Sequence, residues 1–371
     1  MSSTRRYGHR LCYHFDLGDE RGADSFRVST DIRFAKKQQP EHVEICGNVV
    51  MLSYSRSRKE TIEAAISNQR HLHVLDRAQC CYILSGYGVP TVSRVELYIE
   101  GSSASSESSL LPRMHVGEVR FAPQLTPEKS PLCLEDYVRI LRISSDNAVG
   151  RVSTTISSYL IASCSATNEV DRFRLLWSGF NAAYAFLSDK KRKEEDCLSD
   201  LSKTISSGGV DSTSFKLCFN KYIEIVTDDK INSLGWYQYA RDQLYKGGKE
   251  KGERDSTRSR KLSHCSKRMI LALRAVAPSL DKQRGGKGSD LADYLKGALC
   301  RSDIDSDSVS VRRNELAFLL TQYLYNYRCS SMHGSRQFSL YVKFCAEKSL
   351  SWLNDVLEYA LVDCIVEVVR K

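Results

Sequence analysis

The spacing of apolar residues changes once along this chain, and that change constrains the fold more than any single motif. Up to about residue 130 they recur at every second position. In "VSRVELYIEG", Val95, Leu97 and Ile99 point one way and Arg94, Glu96 and Tyr98 the other, and "HVEICGNVVMLSYS" alternates around Val43 and Ile45. From Leu132 onward the repeat is three or four residues, as in "EVDRFRLLWSGFNAAYAFLSDKKRKEE", where Phe173, Trp177, Phe180, Tyr184 and Leu187 form one stripe. A half-buried sheet needs the first pattern and an amphipathic helix the second. The sequence therefore predicts an α+β chain: a small mixed α+β domain over 1–130, then an all-α helical bundle over 131–371.

Within the first part, "SRKETIEAAISNQR" predicts one helix, with Ser57 as N-cap and Ile62, Ala65 and Ile66 inward. The serine-rich "GSSASSESS" reads as a flexible loop between strands, and "APQLTPEKSP", with three prolines, as the linker out of the domain. In the second part, helices are expected in "LEDYVRILRISS", "STTISSYLIASC", "DSTSFKLCFNKYIEIV", "HCSKRMILALRAVAP" and "VRRNELAFLLTQYLYNY". The final helix, "SLSWLNDVLEYALVDCIVEVVRK", turns Leu353, Val356, Leu357, Ala360, Leu361, Cys364, Ile365 and Val368 inward.

Several function classes drop out. No uncharged apolar run reaches the length of a membrane span, and none follows the basic N-terminus as in a secretory leader, so a cytoplasmic protein with no membrane partner is expected. Thirteen cysteines are scattered singly apart from Cys80 and Cys81, which fits a reducing compartment better than a disulfide framework. His71 and His73 with Cys80 and Cys81 show strand-like alternation and no CxxC pair, so neither a metal nor another cofactor is expected. The glycines of "SSGGVDSTS", "KGGKEKGERDSTRSRK" and "DKQRGGKGSD" lack P-loop spacing. "DIDSDS" at Asp303 fails as a calcium loop because Ser308 and Asn314 stand where glycine and glutamate are needed.

The formal charge of +9 is concentrated. Between Arg241 and Lys287 there are fourteen Lys and Arg against five Asp and Glu, an excess equal to that of the whole chain. This reads as a basic loop inserted in the bundle at about 246–288, either a solvated segment or a track for a polyanion. As an RNA track it offers Lys246, Lys249, Lys251, Arg258, Arg260 and Lys261, with Arg336 nearby in sequence.

One further spacing carries chemistry. In "RCSSMH", Arg328 precedes His333 by five residues, directly after the stripe Leu316, Leu319, Leu320, Tyr323, Leu324 and Tyr327. Of the eight histidines only His333 has such an arginine. On a continuous α-helix side chains five apart diverge by about 140°. The two converge only where the helix bends or ends, and Ser330, Ser331 and Gly334 favour such a break.

A helical bundle with Arg-x4-His at a helix junction resembles the HEPN domain, the higher eukaryote and prokaryote nucleotide-binding fold. The resemblance spans about Leu132 to Lys371. It extends to "FRLLWSGFNAAYAFL", which is similar to a long HEPN helix whose polar residue approaches the motif, here Asn181. The residue after the arginine is Cys329, where active members often carry Asn, Asp or His. The resemblance implies a metal-independent endoribonuclease that acts as a homodimer and cleaves single-stranded RNA by attack of the 2′-hydroxyl. It would leave 2′,3′-cyclic phosphate and 5′-hydroxyl ends, with Arg328 and His333 catalytic and Asn181 supporting. Such an enzyme would serve as a toxin or antiviral-defence effector, its N-terminal domain recognising a signal or protein partner. Two other readings stay open: an inactive HEPN module for dimerisation or RNA binding, and a subunit of a CRISPR-type ribonucleoprotein.

Overall fold

The computed structural model describes residues 6–17, 25–33, 39–99, 102–107, 130, 132–142, 148–188, 193–207, 214–245, 251–283, 290–300, 308–332 and 340–371. The chain is mixed α+β, with an antiparallel sheet in its N-terminal part and helices over most of the rest. It divides into two compact units. One holds residues 1–186 together with Leu361–Lys371, and the other runs from Leu187 to Ala360.

The first unit carries strands β1 (Tyr7–Asp16), β2 (Arg27–Ile32), β3 (Glu41–Cys46), β4 (Val49–Arg56), β5 (Thr91–Ile99) and β6 (Ser102–Glu107). They form one antiparallel sheet in the order β2-β3-β4-β1-β5-β6. The alternation seen in the sequence is its cause. Thr30, Val43, Leu52, Leu11 and Leu97 lie in register across five strands, as do Val28, Ile45, Val50, Tyr13 and Val95, and all ten are buried. The β3–β4 hairpin closes through Gly47 and Asn48, with Gly47 at φ 60°, a conformation a side chain would strain.

Helices α1 (Ile62–Ile66) and α2 (Gln69–Leu84) interrupt the strands, capped by Thr61 and Asn68, not by Ser57. Helix α2 is a correction. Its His71–Cys81 stretch alternates like a strand in sequence, but it is helical. His71, Cys80 and Cys81 are buried; the His71 ring donates from Nδ1 to the Ala65 carbonyl at 2.8 Å, and Cys80 Sγ accepts from Ser157 Oγ at 3.2 Å. The serine-rich stretch is also corrected, because Ser102–Glu107 is an edge strand paired with β5, not a loop.

Helices α3 (Leu134–Arg142), α4 (Ala148–Cys164) and α5 (Glu169–Leu187) follow. They were expected to open a separate bundle at residue 131, but α3 and α4 pack on α2 and α3 also reaches β2. Arg142 Nε donates to Thr30 Oγ1, Arg77 Nη1 donates to the Leu141 carbonyl at 3.3 Å, and the Phe26 and Tyr137 rings meet edge-on at 5.4 Å. The unit therefore extends beyond the expected boundary. A Cβ on Gly179 of α5 would sit 3.0 Å from Leu361 Cδ2 and 3.2 Å from Tyr159 Cβ, so this glycine permits the close approach of three helices. Arg370 returns to α3, its Nη2 donating to Asp136 Oδ2 at 2.7 Å.

The second unit contains α6 (Glu194–Ser206), α7 (Lys216–Ile225), α8 (Asp228–Asn232), α9 (Trp236–Tyr239), α10 (Lys251–Lys261), α11 (Lys267–Gln283), α12 (Asp290–Cys300), α13 (Val309–Phe318) and α14 (Leu324–Met332). Helix α15 (Leu340–Arg370) begins here and ends in the first unit. The predicted long helix from Glu169 to Glu195 is two, with Phe173, Trp177, Phe180 and Tyr184 buried in the first as expected. Helix α11 continues past Pro278, beyond its expected end. A buried charge cluster joins α7, α11 and α13: Glu315, fully buried, accepts from Arg268 Nε at 2.7 Å, Arg268 Nη2 at 2.6 Å and the Tyr222 hydroxyl at 2.7 Å. The "DIDSDS" run up to residue 307, and the "APQLTPEKSP" linker apart from Ser130, lie outside the described residues.

Candidate functional site

Arg328 stands on α14, and the path of the chain into α14 is unusual. Between α13 and α14 the helix widens to a π-turn over Leu319–Tyr323. A second π-turn, Ala240–Leu244, continues α9. Side chains tie the two segments together. The Tyr323 hydroxyl accepts from Gly235 N at 2.8 Å, the Tyr239 hydroxyl donates to Gln322 Oε1 at 3.4 Å, and Gln243 Nε2 donates to Asn326 Oδ1 at 2.5 Å. Each π-turn inserts a residue into the helical count and rotates everything after it, which sacrifices regular hydrogen bonding and recurs at functional sites. Around them Trp236, Tyr239, Phe318 and Tyr323 form a packed aromatic cluster.

The Arg328 side chain is 24% exposed, and its Nη1 lies 3.6 Å from Glu194 Oε2. The same Nη1 is 3.9 Å from Cys329 Sγ. Glu194 opens α6 with Glu195 and Asp196, a placement in which the helix dipole favours carboxylates. Burial, the Cys329 side chain and the carboxylates of Glu194 and Glu195 push the Tyr325 hydroxyl well above its ordinary range, so Tyr325 is a neutral neighbour. This end of α14 thus presents a partly exposed cation paired with a partly exposed carboxylate, an ion pair for which an oxyanion would compete.

The expected break between Arg328 and His333 does not fall before Met332, because the described helix runs through Ser330 and Ser331. His333 itself lies outside the described residues, as do Arg336, Lys246 and Lys249. Asn181 is half-buried on α5 and belongs to the first unit, whereas Arg328 belongs to the second.

The basic insertion is not a loop over Lys251–Lys261 but the helix α10. Arg258 must be withdrawn as an RNA contact, since it is fully buried and structurally committed. Its Nη2 donates to Asp290 Oδ2 at 3.0 Å, Nη1 to Asp290 Oδ1 at 3.2 Å and to Asp255 Oδ1 at 3.3 Å, and Nε to the Leu244 carbonyl at 3.1 Å. The Tyr245 and Tyr294 rings flank it at 5.8 and 5.5 Å. It pins α10 to α12. Arg260 is exposed and Lys261 half-exposed, so both stay accessible, and Lys251 opens the helix.

Glu194 and the paired π-turns escaped sequence reading. The only local signal was the acidic start "EEDC" after "KKRK", which marks a helix N-terminus but not its partner 134 residues away. Among the described residues no three His, Cys, Asp or Glu side chains gather into a metal site, and no helix is long and apolar enough to cross a membrane. No family model, no curated protein and no solved structure matches the chain.

Proposed function

We propose that the helical part of this chain is a HEPN-like, metal-independent endoribonuclease in which Arg328 and His333 act on one phosphodiester. RNA supplies the nucleophile. As its 2′-oxygen bonds to phosphorus, the bond to the 5′-oxygen breaks; one proton leaves the 2′-hydroxyl and one reaches the departing oxygen, giving a cyclic phosphate and a 5′-hydroxyl. An imidazole, titrating near about pH 6.5 in its unperturbed state, suits that proton movement, and a guanidinium suits the phosphate oxygens.

The observation that carries this reading is the setting of Arg328: it follows a π-turn braced by its neighbours, and its partly exposed guanidinium stands 3.6 Å from a partly exposed carboxylate, Glu194. A second subunit that brings its own Arg328 and His333 to the same phosphate belongs to the same proposal, as does a defence or toxin role with the sheet unit as sensor. Incubating a single-stranded RNA with the full chain in EDTA tests it. Cleavage by the wild type, lost in Arg328→Ala and in His333→Ala, is the expected result. Binding without cleavage selects a non-cutting RNA-binding module instead, the reading favoured by the Arg328–Glu194 ion pair if that pair is permanent.

A further inference from the structure

We infer that the exposed face of α11 is a rail for an RNA backbone, on which Lys267, Arg274 and Lys282 hold phosphates without reading the bases. Helix α11 turns Met269, Ile270, Leu273, Ala277 and Leu280 into the second unit. The opposite side is open. Lys267, Arg274 and Lys282 are all exposed there, seven and eight residues apart. Each spacing is close to two helical turns, so the three cations fall within about 80° of one another around the axis and follow at about 10–12 Å along it.

Nothing on the helix neutralises them. None of the three has an ion-pair partner among the described residues. The remaining cation of α11, Arg268, is turned to Glu315 at 2.6 Å and Asp228 at 3.0 Å. The only carboxylate of α11, Asp281, is buried and accepts from Leu291 N and Ala292 N, each at 3.2 Å. Ala275, Pro278 and Ser279, exposed beside the cations, are short and uncharged. Helix stability does not account for the arrangement. Lys267 stands in the first turn with no acidic residue beside it, where the helix dipole disfavours a cation.

A row of unpaired cations along one rigid element is the electrostatic footprint of a polyanion's partner. A protein ligand would need apolar anchors at the centre of the contact, and this face offers one large apolar side chain, Leu271, at 47% exposure. Reading of bases would need stacking rings or free amides. Helix α11 has no aromatic residue, and the amide of Gln283 at its end accepts from the Tyr237 hydroxyl. Phosphates are what remains to be held, and contacts to them position a strand without specifying its sequence. The rail rests on the nuclease reading for RNA as the natural polyanion, but its contacts require no 2′-hydroxyl.

Fluorescence anisotropy of the full chain in EDTA, with one single-stranded RNA and the DNA of the same sequence across a salt series, tests the rail. DNA has no 2′-hydroxyl to attack, so its binding is read apart from cleavage. The wild type is expected to bind both alike. Lys267→Gln/Arg274→Gln/Lys282→Gln should weaken both about tenfold at about 100 mM salt and flatten the salt slope by about two, at about 0.7 per lost contact. The same loss of charge placed elsewhere, Arg10→Gln/Arg27→Gln/Lys203→Gln, should leave the slope unchanged. All six positions are exposed, so both variants should fold as the wild type does. Absence of binding to either nucleic acid, an unchanged slope in the α11 variant, or equal losses in the two variants would overturn the rail. A defect of the α11 variant toward polyglutamate but not toward RNA or DNA would also overturn it, assigning the face to an acidic protein. If the wild type binds both strands through α11 and cuts neither, the nuclease reading falls and the rail stands.

Discussion

Arg328 and Glu194, 134 positions apart in sequence, face each other across 3.6 Å at the end of α14, with side chains 24% and 31% exposed. Their pairing sets a competition: a phosphate that binds Arg328 displaces Glu194. An ion pair this exposed contributes at most about 1 kcal/mol after solvent screening. Glu194→Gln is therefore expected to strengthen RNA binding, and to speed cleavage at limiting RNA, by about twofold to fivefold. Filter binding across an RNA titration reads this directly; weaker binding in the variant would mean that Glu194 positions Arg328 instead of competing for it.

Arg258 separates structural from RNA-contacting basic residues on one helix. Arg258→Ala removes a buried guanidinium that joins α10 to Asp290, and should cost about 2–4 kcal/mol in urea unfolding. Arg260→Ala, at an exposed position, should stay within about 0.5 kcal/mol of wild type. Its expected effect is on RNA: a weaker complex whose salt slope is smaller by about one. Similar stability losses in both variants would contradict this division.

His71 makes stability depend on pH. Burial holds its imidazole below the ordinary range, outweighing the hydrogen bond to the Ala65 carbonyl and the negative charge of Glu41, while Arg56 adds to the depression. In the unfolded chain the ring titrates near about 6.5. Between the two values the unfolded state holds a proton that the folded state does not, so this contribution is full above about pH 6.5 and declines as the pH falls toward the folded value. Urea unfolding between about pH 5 and 7 should show that decline, with His71→Gln flattening it. An unchanged slope in the variant would assign the dependence to other groups.

How much of this was legible in the sequence follows from where each determinant sits. The alternation of Val43, Ile45, Val95, Leu97 and Ile99 gave the sheet its buried face, and the stripe from Leu353 to Val368 gave the final helix, because in both a local period coincides with burial. Helix α2 hid itself because every residue from Ala78 to Leu84 is buried, leaving no polar side to reveal a helical period. The serine-rich β6 has low intrinsic strand preference and pairs only because β5 offers it an edge, a tertiary cause. Arg258 looked like a member of a charge run because Asp290, its partner, lies 32 residues away. Arg328 was visible as a motif; Glu194 and the π-turns beside it are products of the folded chain.

The central claim is that Arg328 serves phosphodiester transfer from a 2′-hydroxyl, and the ends of the RNA products test it most directly. Mass spectrometry of fragments formed by the full chain in EDTA should show 2′,3′-cyclic phosphate and 5′-hydroxyl termini, absent from the Arg328→Ala reaction. Fragments ending in 3′-hydroxyl and 5′-phosphate, or the same cyclic products at the same rate without Arg328, would contradict it.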